Sequence, residues 1–172
     1  MSKTKSPSDS LVIKSELVLP NETNMYNHMM GGNLMYHMDI VGAIAAQKHC
    51  NNEVVTASVD TISFEKPIPL GDVITLKGFV TRAFSTSMEV KIEVHAESIP
   101  KGIKYKSNEA FLTFVSIDKN GKPKSIPKVS PNTPDEIRLY ESALRRRELR
   151  LILAGKIKPN QAIDLKKLFD ED

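Results

Sequence analysis

A nearly uninterrupted apolar helix with one acid inside it is the feature that most constrains this fold. Residues 33–48 follow the glycine pair Gly31 and Gly32, and they are rich in Leu, Met, Ile, Val and Ala with no wide polar face. A helix that is apolar nearly all round is typical of the interior of a domain. The pattern therefore predicts a central helix about 24 Å long that the rest of the chain covers.

Asp39 is the acid in this helix, and the pattern predicts that it is buried. A buried carboxylate is hydrogen-bonded, protonated or retained for chemistry, because burial without a partner is costly. Its neighbours on the helix, Gly42 and Ala43, are small and leave room for a ligand. We therefore interpret Asp39 as a candidate catalytic carboxylate that activates water or attacks a carbonyl. A structural, hydrogen-bonded aspartate is the alternative.

Five segments with β-branched or alternating residues predict strands around this helix. They are residues 11–19, 54–64, 73–84, 86–98 and 105–118, and turn-forming residues separate them. One long helix followed by successive strands with short connections predicts an α+β fold, in which an antiparallel sheet wraps around the helix.

The segments on either side of this part differ in composition. Residues 1–10 are polar, which predicts a disordered N terminus, and residues 11–130 form the predicted α+β domain. In the C-terminal extension, residues 131–172, a capping box that begins at Thr133 predicts a peripheral helix over 134–154. A short tail follows, with one helical turn and an acidic end.

The peripheral helix also carries a cluster of basic side chains. We interpret this cluster as a solvated face, and the alternative is a contact with another subunit or with an anionic partner. The cluster consists of Arg145, Arg146, Arg147 and Arg150.

Composition argues against several classes of protein. The formal net charge is +3 and basic residues alternate with acids, unlike the one-sided cationic face of a nucleic-acid-binding protein. No apolar run approaches the roughly 18 residues of a membrane span or forms the core of a signal peptide. Cys50 is the single cysteine, and no histidine spacing matches a metal motif. We expect a cytoplasmic protein without metal, cofactor, nucleic-acid partner or membrane partner.

The glycine pair indicates a site for a developing oxyanion. The first N–H groups of a helix have no partner within it, and here those of Gly32, Asn33 and Leu34 are expected to point outward. Such donors stabilise negative charge on an oxygen, and glycine permits the close approach of a ligand. The alternative is a junction that needs glycine only to turn the chain.

Several sequence pieces, taken in order, resemble the hotdog-fold acyl-CoA thioesterases of the bacterial and brain acyl-CoA hydrolase type. The pieces are LPNETN, MMGG, MYHMD, VVTASVDTISFEKPIPLGD, TSMEV and FLTFVSIDKNGKP, and the resemblance covers residues 11 to about 130. It implies a helix wrapped by an antiparallel sheet, two such units side by side, and active sites at their interface. It also implies that acyl-CoA and water react to give a free fatty acid and CoA.

The resemblance also implies roles for individual residues. Asn24 and Asp39 match the catalytic asparagine and aspartate of the family, which opposite subunits contribute. Gly32 would polarise the thioester carbonyl, Asp39 would activate water or form an anhydride, and Asn24 would orient the nucleophile or the substrate. The residues that would bind substrate or CoA are Gly31, Asn33, Thr56, Arg82, Ser85, Thr86 and Ser87.

A shared site implies a homo-oligomer, with a dimer as the minimum and a trimer of dimers as the form common among relatives. Two other functions remain open at this point. A hotdog module that binds acyl-CoA without hydrolysing it would be a sensor, although the presence of both Asn24 and Asp39 favours turnover. A hotdog dehydratase would pair a histidine with an acid, a pattern that this sequence matches less well.

Overall fold

The computed structural model describes residues 4–64 and 66–168 of the chain, without the side chain of Thr61. Seven strands occur in these residues: β1 (Thr4–Lys5), β2 (Val12–Leu17), β3 (Glu53–Phe64), β4 (Val73–Ala83), β5 (Ser87–Ser98), β6 (Ile103–Ile117) and β7 (Lys128–Val129). Three α-helices accompany them: α1 (Gly31–Cys50), α2 (Pro134–Leu153) and α3 (Ile163–Lys166).

The main sheet has five antiparallel strands in the order β2-β4-β5-β6-β3. Helix α1 packs against one face of this sheet. The α+β fold with a sheet wrapped around one long helix is therefore confirmed, and this is the hotdog arrangement. All five predicted strands are present, with ends that differ by at most two residues from the prediction.

The contact between α1 and the sheet depends on two glycines. A Cβ on Gly42 of α1 would lie 2.8 Å from the Phe114 ring, and a Cβ on Gly78 of β4 would lie 2.6 Å from Cγ1 of Val41. Both distances are shorter than real Cβ contacts, so glycine at these positions lets the helix approach the strands closely. The resulting core buries Met38 and Val41 completely.

The prediction that α1 is buried all round, with Asp39 inside, is wrong for the single chain. The helix begins and ends two residues beyond the predicted 33–48. The sheet covers one face of it, while Asp39 and the large apolar side chains of the opposite flank are exposed. Tyr36 is 63% exposed, Ile44 43% and Met35 40%. An apolar flank of this kind is typical of an interaction surface.

The prediction of a disordered N terminus is wrong for residues 4–10. Strand β1 pairs in parallel with β7, with Thr4 opposite Lys128. Ser10 is fully buried, and its Oγ accepts a hydrogen bond from the Val80 N–H at 2.8 Å. Residues 1–3 lie outside the described residues. The start of the chain therefore packs against the domain.

Helix α2 confirms the predicted peripheral helix and its capping box, in which Thr133 Oγ1 accepts the Glu136 N–H at 3.2 Å. The interpretation of its arginines as a solvated face is wrong for Arg146 and Arg150. Arg146 forks onto Glu89 at 2.9 and 2.8 Å, and Arg150 contacts Asp60 at 2.5 Å.

Glu89 lies on the face of the sheet opposite to α1, because successive side chains of a strand alternate. It is 1% exposed and also accepts a hydrogen bond from Thr81 at 2.6 Å. The guanidinium of Arg146 stacks 3.9 Å from the centre of the Phe111 ring. Helix α2 is thus held to the outer face of the sheet by a buried carboxylate that the strand pattern alone does not reveal.

The last described residues contain the predicted single helical turn, α3. The acidic end of the chain, residues 169–172, lies outside the described residues. None of the helices in the described part of the chain combines the length and apolarity that a membrane crossing requires.

Candidate active site

The loop before α1 holds Asn24 in a fixed orientation. Asn24 Oδ1 accepts hydrogen bonds from the N–H groups of Tyr26 at 2.9 Å and His28 at 3.2 Å. The Asn24 N–H in turn donates to the His28 carbonyl at 2.8 Å. Because the side-chain oxygen is occupied by the loop itself, the Nδ2 hydrogens are left as donors, and they bond to nothing among the described residues. Asn24 is exposed.

Asn24 and Gly31 line a single cleft of about 440 Å³ at the N-terminal end of α1. The wall of this cleft combines apolar side chains with a few polar groups. It is completed by His28, Met29, Leu34, Phe64, Lys66, Pro67, Ile68 and Asn108. Such a mixture is typical of a site for a small molecule with an apolar portion.

The N terminus of α1 opens towards this region without a side-chain cap. Met30 occupies the cap position and forms no side-chain cap hydrogen bond. The N–H groups of Gly31, Gly32 and Asn33 have no partner among the described residues. The prediction is wrong for Leu34, whose N–H donates to the Met30 carbonyl at 3.1 Å. Three backbone donors and the positive end of the helix dipole therefore remain available to an anionic oxygen.

The two glycines of the pair have different surroundings. A Cβ on Gly31 would lie 3.1 Å from Cζ of Phe64, so a larger residue here would require the Phe64 ring to shift by a few tenths of an ångström. A Cβ on Gly32 would meet nothing within 4 Å, and Gly32 is exposed. The Phe64 ring therefore packs closely against Gly31, whereas the space beside Gly32 is open to a ligand.

Asp39 and Thr56 form the second predicted group that the structure brings together. Thr56 Oγ1 donates a hydrogen bond to Asp39 Oδ1 at 2.7 Å, and both residues are exposed. Thr56 lies in β3, which is an edge strand of the main sheet. The hydroxyl therefore orients a carboxylate whose second oxygen faces solvent.

The structure does not join these two groups within one chain. Asp39 follows Gly32 by seven residues, which places it about 11 Å further along the helix axis. It is absent from the wall of the cleft that contains Asn24. Within one chain, Asn24 and Asp39 therefore do not line a common cleft.

The predicted CoA-binding residues around the β4–β5 turn are involved in structural contacts. The turn closes with a hydrogen bond from the Phe84 N–H to the Ser87 carbonyl at 2.7 Å, and the Thr86 carbonyl accepts the Ser116 N–H at 2.9 Å. Arg82 donates to the Tyr140 carbonyl at 2.8 Å and stacks 3.9 Å from the centre of the Tyr140 ring. The structure therefore engages Arg82 in the contact between β4 and α2.

The turn nevertheless lies in line with Thr56 across the sheet. Thr56 pairs with Phe114, Phe114 with Met88, and Met88 with Ala83. Residues 85–87 join β4 to β5 and are thus at the same end of the sheet as Thr56, between two and three strand spacings, or about 10 to 14 Å, away. Ser85 is exposed, and Thr86 and Ser87 are half-buried.

Sequence reasoning missed two polar residues near the cleft. Asn108 is 1% exposed and its Nδ2 donates to the Ser63 carbonyl at 2.5 Å, which ties β6 to the end of β3 beside the cleft. His37 of α1 is 5% exposed, and both of its ring nitrogens are hydrogen-bonded. A polar pair, Ser107 and Asn108, inside a long strand is a signal for the first, whereas the sequence contains no comparable signal for His37.

No group of three or more histidine, cysteine, aspartate or glutamate side chains in the described ranges is arranged to hold a metal ion.

A sheet wrapped around a helix, with an open helix N terminus and a carboxylate on the helix flank, defines a hotdog-fold protein. Residues 26–103, which include the glycine pair, Asp39 and Thr56, match the family model described as the thioesterase superfamily. A Bacillus subtilis protein described as an uncharacterized acyl-CoA thioester hydrolase is 40% identical over 144 residues, 84% of either chain. The chain belongs to the thioesterase superfamily, in its acyl-CoA thioester hydrolase family.

Solved structures agree with this membership. A hexameric acyl-CoA thioesterase in its apo form superimposes with a TM-score of 0.86 and 41% identity, covering 88% of this chain and 97% of that one. An acyl-CoA hydrolase from Staphylococcus aureus, in complex with butyryl coenzyme A, coenzyme A and coenzyme A disulfide, superimposes with a TM-score of 0.82 and 36% identity, covering 95% and 99%. That hydrolase has also been solved as three variants in which an asparagine, an aspartate or a threonine is replaced by alanine.

Proposed function

We propose that the protein is an acyl-CoA thioesterase that hydrolyses fatty acyl-CoA to a free fatty acid and CoA. The observation that carries the proposal is the Asp39 carboxylate, which the Thr56 hydroxyl orients at 2.7 Å and leaves open to solvent on one oxygen. Hydrolysis of a thioester needs a base or nucleophile of this kind, together with donors for the oxyanion. The uncapped N terminus of α1 supplies such donors.

The spacing of the three side chains supports the same proposal. The asparagine, aspartate and threonine replaced in the S. aureus acyl-CoA hydrolase follow one another at intervals of 15 and 17 residues. Asn24, Asp39 and Thr56 follow one another at the same intervals. These are the three residues that the geometry of this chain orients, and one of the S. aureus variants, at the asparagine, contains coenzyme A.

In the proposed reaction the thioester carbonyl oxygen accepts hydrogen bonds from the N–H of Gly32 and its neighbours. Asp39 of the partner subunit takes a proton from water as the water oxygen bonds to the carbonyl carbon, or its carboxylate attacks that carbon to form an anhydride. The carbon–sulfur bond then breaks and CoA leaves as a thiolate that takes up a proton. In the anhydride route, water then hydrolyses the anhydride, which releases the free fatty acid and restores the Asp39 carboxylate. Asn24, whose Oδ1 is occupied by the loop and whose Nδ2 hydrogens have no partner in residues 4–64 and 66–168, orients the attacking group or the substrate.

The proposed site is intersubunit, and we propose a homodimer as the minimum and a trimer of dimers as the complete form. Strand β3 is an unpaired edge with Val55 46% and Val59 41% exposed. The neighbouring flank of α1 is also apolar and exposed, with Tyr36 and Ile44 as its largest side chains. Covering an edge strand and an apolar helix flank with a second copy buries both. The hexameric state of the apo thioesterase supports the larger assembly.

We propose that acyl-CoA binds with its thioester at Gly31, Gly32 and Asn33 and with its nucleotide near Ser85, Thr86 and Ser87. CoA belongs to the substrate, and the proposed chemistry needs no other cofactor. The use of a single cysteine supports a cytoplasmic location, because proteins of reducing compartments do without disulfides. Fractionation with activity in the cytosolic fraction would test the location.

The function is tested by following thiol release from a series of acyl-CoA substrates with the wild type and the Asp39→Asn variant. We expect release by the wild type and its loss in the variant, with the oligomer and the circular dichroism spectrum unchanged. Asp135→Asn is a matched control, because Asp135 is 86% exposed at the start of α2, away from the site.

The outcomes separate the alternatives. Saturable acyl-CoA binding by the wild type without thiol release would identify a sensor. Addition of water to an enoyl thioester without thiol release would identify a dehydratase. Equal release by the wild type and Asp39→Asn would remove Asp39 from the proposed mechanism.

A further inference from the structure

Three charged or polar side chains from separate elements form a line beneath the Asn24 loop. Lys14 of β2 lies with Nζ 2.8 Å from Nδ1 of His37, and His37 Nε2 lies 2.9 Å from Oε1 of Glu22. His37 is 5% exposed, so the centre of the line is buried between β2 and α1.

The direction of the hydrogen bonds follows from the chemistry of the three groups. An ammonium group only donates, so Nδ1 of His37 is the acceptor and Nε2 carries the hydrogen that is donated to Glu22. A hydrogen bond from His37 holds the pKa of the Glu22 carboxyl below its ordinary value, so Glu22 is an anion. The line therefore runs from the Lys14 ammonium through the His37 imidazole to the Glu22 carboxylate.

Glu22 closes the base of the loop that presents Asn24. Its carbonyl accepts the Met30 N–H at 2.8 Å, and its Oε2 accepts the Leu19 N–H at 3.2 Å. Among the described residues, the bond from Glu22 to His37 is the only side-chain hydrogen bond that joins residues 20–30 to α1. The other hydrogen bonds of the loop with the domain come from its backbone, which bonds to residues 68–70 and, at the Met30 carbonyl, to the Leu34 N–H. The Met29 side chain also packs against the core.

We infer that Lys14, His37 and Glu22 are positioning residues that set the distance between Asn24 and the N terminus of α1. Asn24 lies two residues after Glu22 in the same closed loop, and the donors of the glycine pair belong to the helix that carries His37. Loss of the bond between Glu22 and His37 leaves the loop free to shift relative to the helix. The inference rests on the proposed function, because it assigns the line to the alignment of the thioesterase site.

The test compares kcat and KM for thiol release in Glu22→Ala and Glu22→Gln. We expect kcat to fall about 10- to 100-fold in Glu22→Ala with KM within about twofold of wild type, because a small misplacement of a catalytic group has effects of this size. Glu22→Gln keeps an acceptor for the His37 Nε2–H, so we expect it to recover most of the loss. Thermal unfolding and sedimentation confirm that each variant is folded and assembled at the assay temperature.

Two further variants separate positioning from a general effect on stability. Glu16 contacts the same lysine at 3.5 Å but not the loop, so Glu16→Ala should match wild type. In an Asn24→Asp background, adding Glu22→Ala should cause no further loss of kcat, because the residue it positions is already changed.

Multiplicative losses in the double variant, or an unchanged kcat in Glu22→Ala, would overturn the inference. If Glu22→Ala does not fold, Lys14→Met and His37→Leu provide a second test. Lys14→Met keeps the hydrogen bond between His37 and Glu22, whereas His37→Leu removes it. We therefore expect Lys14→Met to lower kcat less than His37→Leu. Equal kcat in these two variants would also overturn it. A wild type that releases no thiol contradicts the proposed function itself, whereas a normal wild type with an unaffected Glu22→Ala contradicts the positioning role alone.

Discussion

The two halves of the proposed site are built in opposite ways. The Asn24 half is a loop closed by backbone hydrogen bonds at the mouth of a cleft of about 440 Å³. The Asp39 half is a carboxylate on the exposed flank of α1, and in the part of the chain that the structure describes its side chain has one hydrogen bond, from Thr56 on an edge strand. One half is therefore enclosed by its own chain, while the other is open to whatever covers the edge of the sheet.

This difference explains why one chain orients both Asn24 and Asp39 but forms a cleft around the Asn24 half alone. A carboxylate in water is well solvated and is a weak base for a thioester reaction, whereas exclusion of water strengthens its interactions with substrate. The exposed flank of α1 and the edge of β3 are the surfaces that a second subunit would cover. The Asn24 half is therefore preorganised within one chain, whereas the Asp39 half depends on the assembly of a second subunit.

The largest effect on the enclosed half is expected from Asn24→Asp. The new carboxylate keeps an oxygen for the N–H groups of Tyr26 and His28, so the loop stays closed, but the Nδ2 donor is lost. We expect kcat for thiol release to fall about 100-fold, as on removal of a donor from a preorganised site. An unchanged kcat would show that Asn24 acts only through its loop contacts. Asn21→Asp, an exposed change at the start of the same loop, is the control.

A smaller effect is expected on the open half from Thr56→Val. The substitution keeps the shape of the side chain and removes the hydroxyl that donates to Asp39 Oδ1 at 2.7 Å. We expect kcat to fall about tenfold, which corresponds to a hydrogen bond to a charged group. Thr56→Ser restores the hydroxyl and should recover the activity. Equal losses in the valine and serine variants would assign the effect to packing.

Gly31→Ala is expected to disturb the enclosed half mildly. The new Cβ would lie 3.1 Å from Cζ of Phe64, so the ring must move by a few tenths of an ångström. We expect kcat/KM to fall about threefold, with partial recovery when Phe64→Leu is added, because overpacking is relieved by a smaller neighbour. A loss that Phe64→Leu does not relieve would indicate a clash with substrate instead.

No effect on kcat is expected from Arg146→Met, which lies outside both halves. Removing Arg146 leaves the 1%-exposed Glu89 without its bidentate partner, so the free energy of unfolding should fall by about 3 kcal/mol. Arg138→Met breaks an ion pair whose side chains are 75% and 86% exposed and should change it by less than about 0.5 kcal/mol. Urea unfolding measures the free energy of unfolding of both variants. A changed kcat per folded protein in Arg146→Met would show that the active site extends to α2.

Local sequence patterns predicted the helices and strands because each of these elements depends on interactions between residues that are close in sequence. The apolar run of α1, the alternation of the strands and the capping box at Thr133 depend on neighbouring residues, and each element was confirmed within two residues. Short connections also account for β4, β5 and β6 as neighbours in the sheet, whereas β2 pairs with β4 and β3 pairs with β6 across long stretches of chain.

Contacts between distant parts of the chain could not be predicted in the same way. Arg146 and Glu89 are 57 residues apart, and a cluster of arginines on a helix is ordinarily solvated. The line from Lys14 to Glu22 likewise joins three elements with no shared motif. Asp39 was expected to be inside because its helix is apolar, but an apolar flank is equally consistent with a surface that another subunit covers. Periodicity does not distinguish the interior of a chain from an interface between chains.

The most direct test of the intersubunit site is to mix two inactive proteins, Asn24→Asp and Asp39→Asn, with different affinity tags and to measure thiol release from the doubly purified oligomer. One of the two sites in a mixed dimer then contains both native side chains. If the doubly purified oligomer is a dimer, every molecule is mixed, and we predict recovery of about half of the wild-type activity. If it is a trimer of dimers, about half of its dimers are mixed, and we predict recovery of about a quarter. Each variant alone should remain inactive. Doubly tagged oligomers with no recovered activity would contradict the shared site and would place Asn24 and Asp39 of one chain in the same reaction centre.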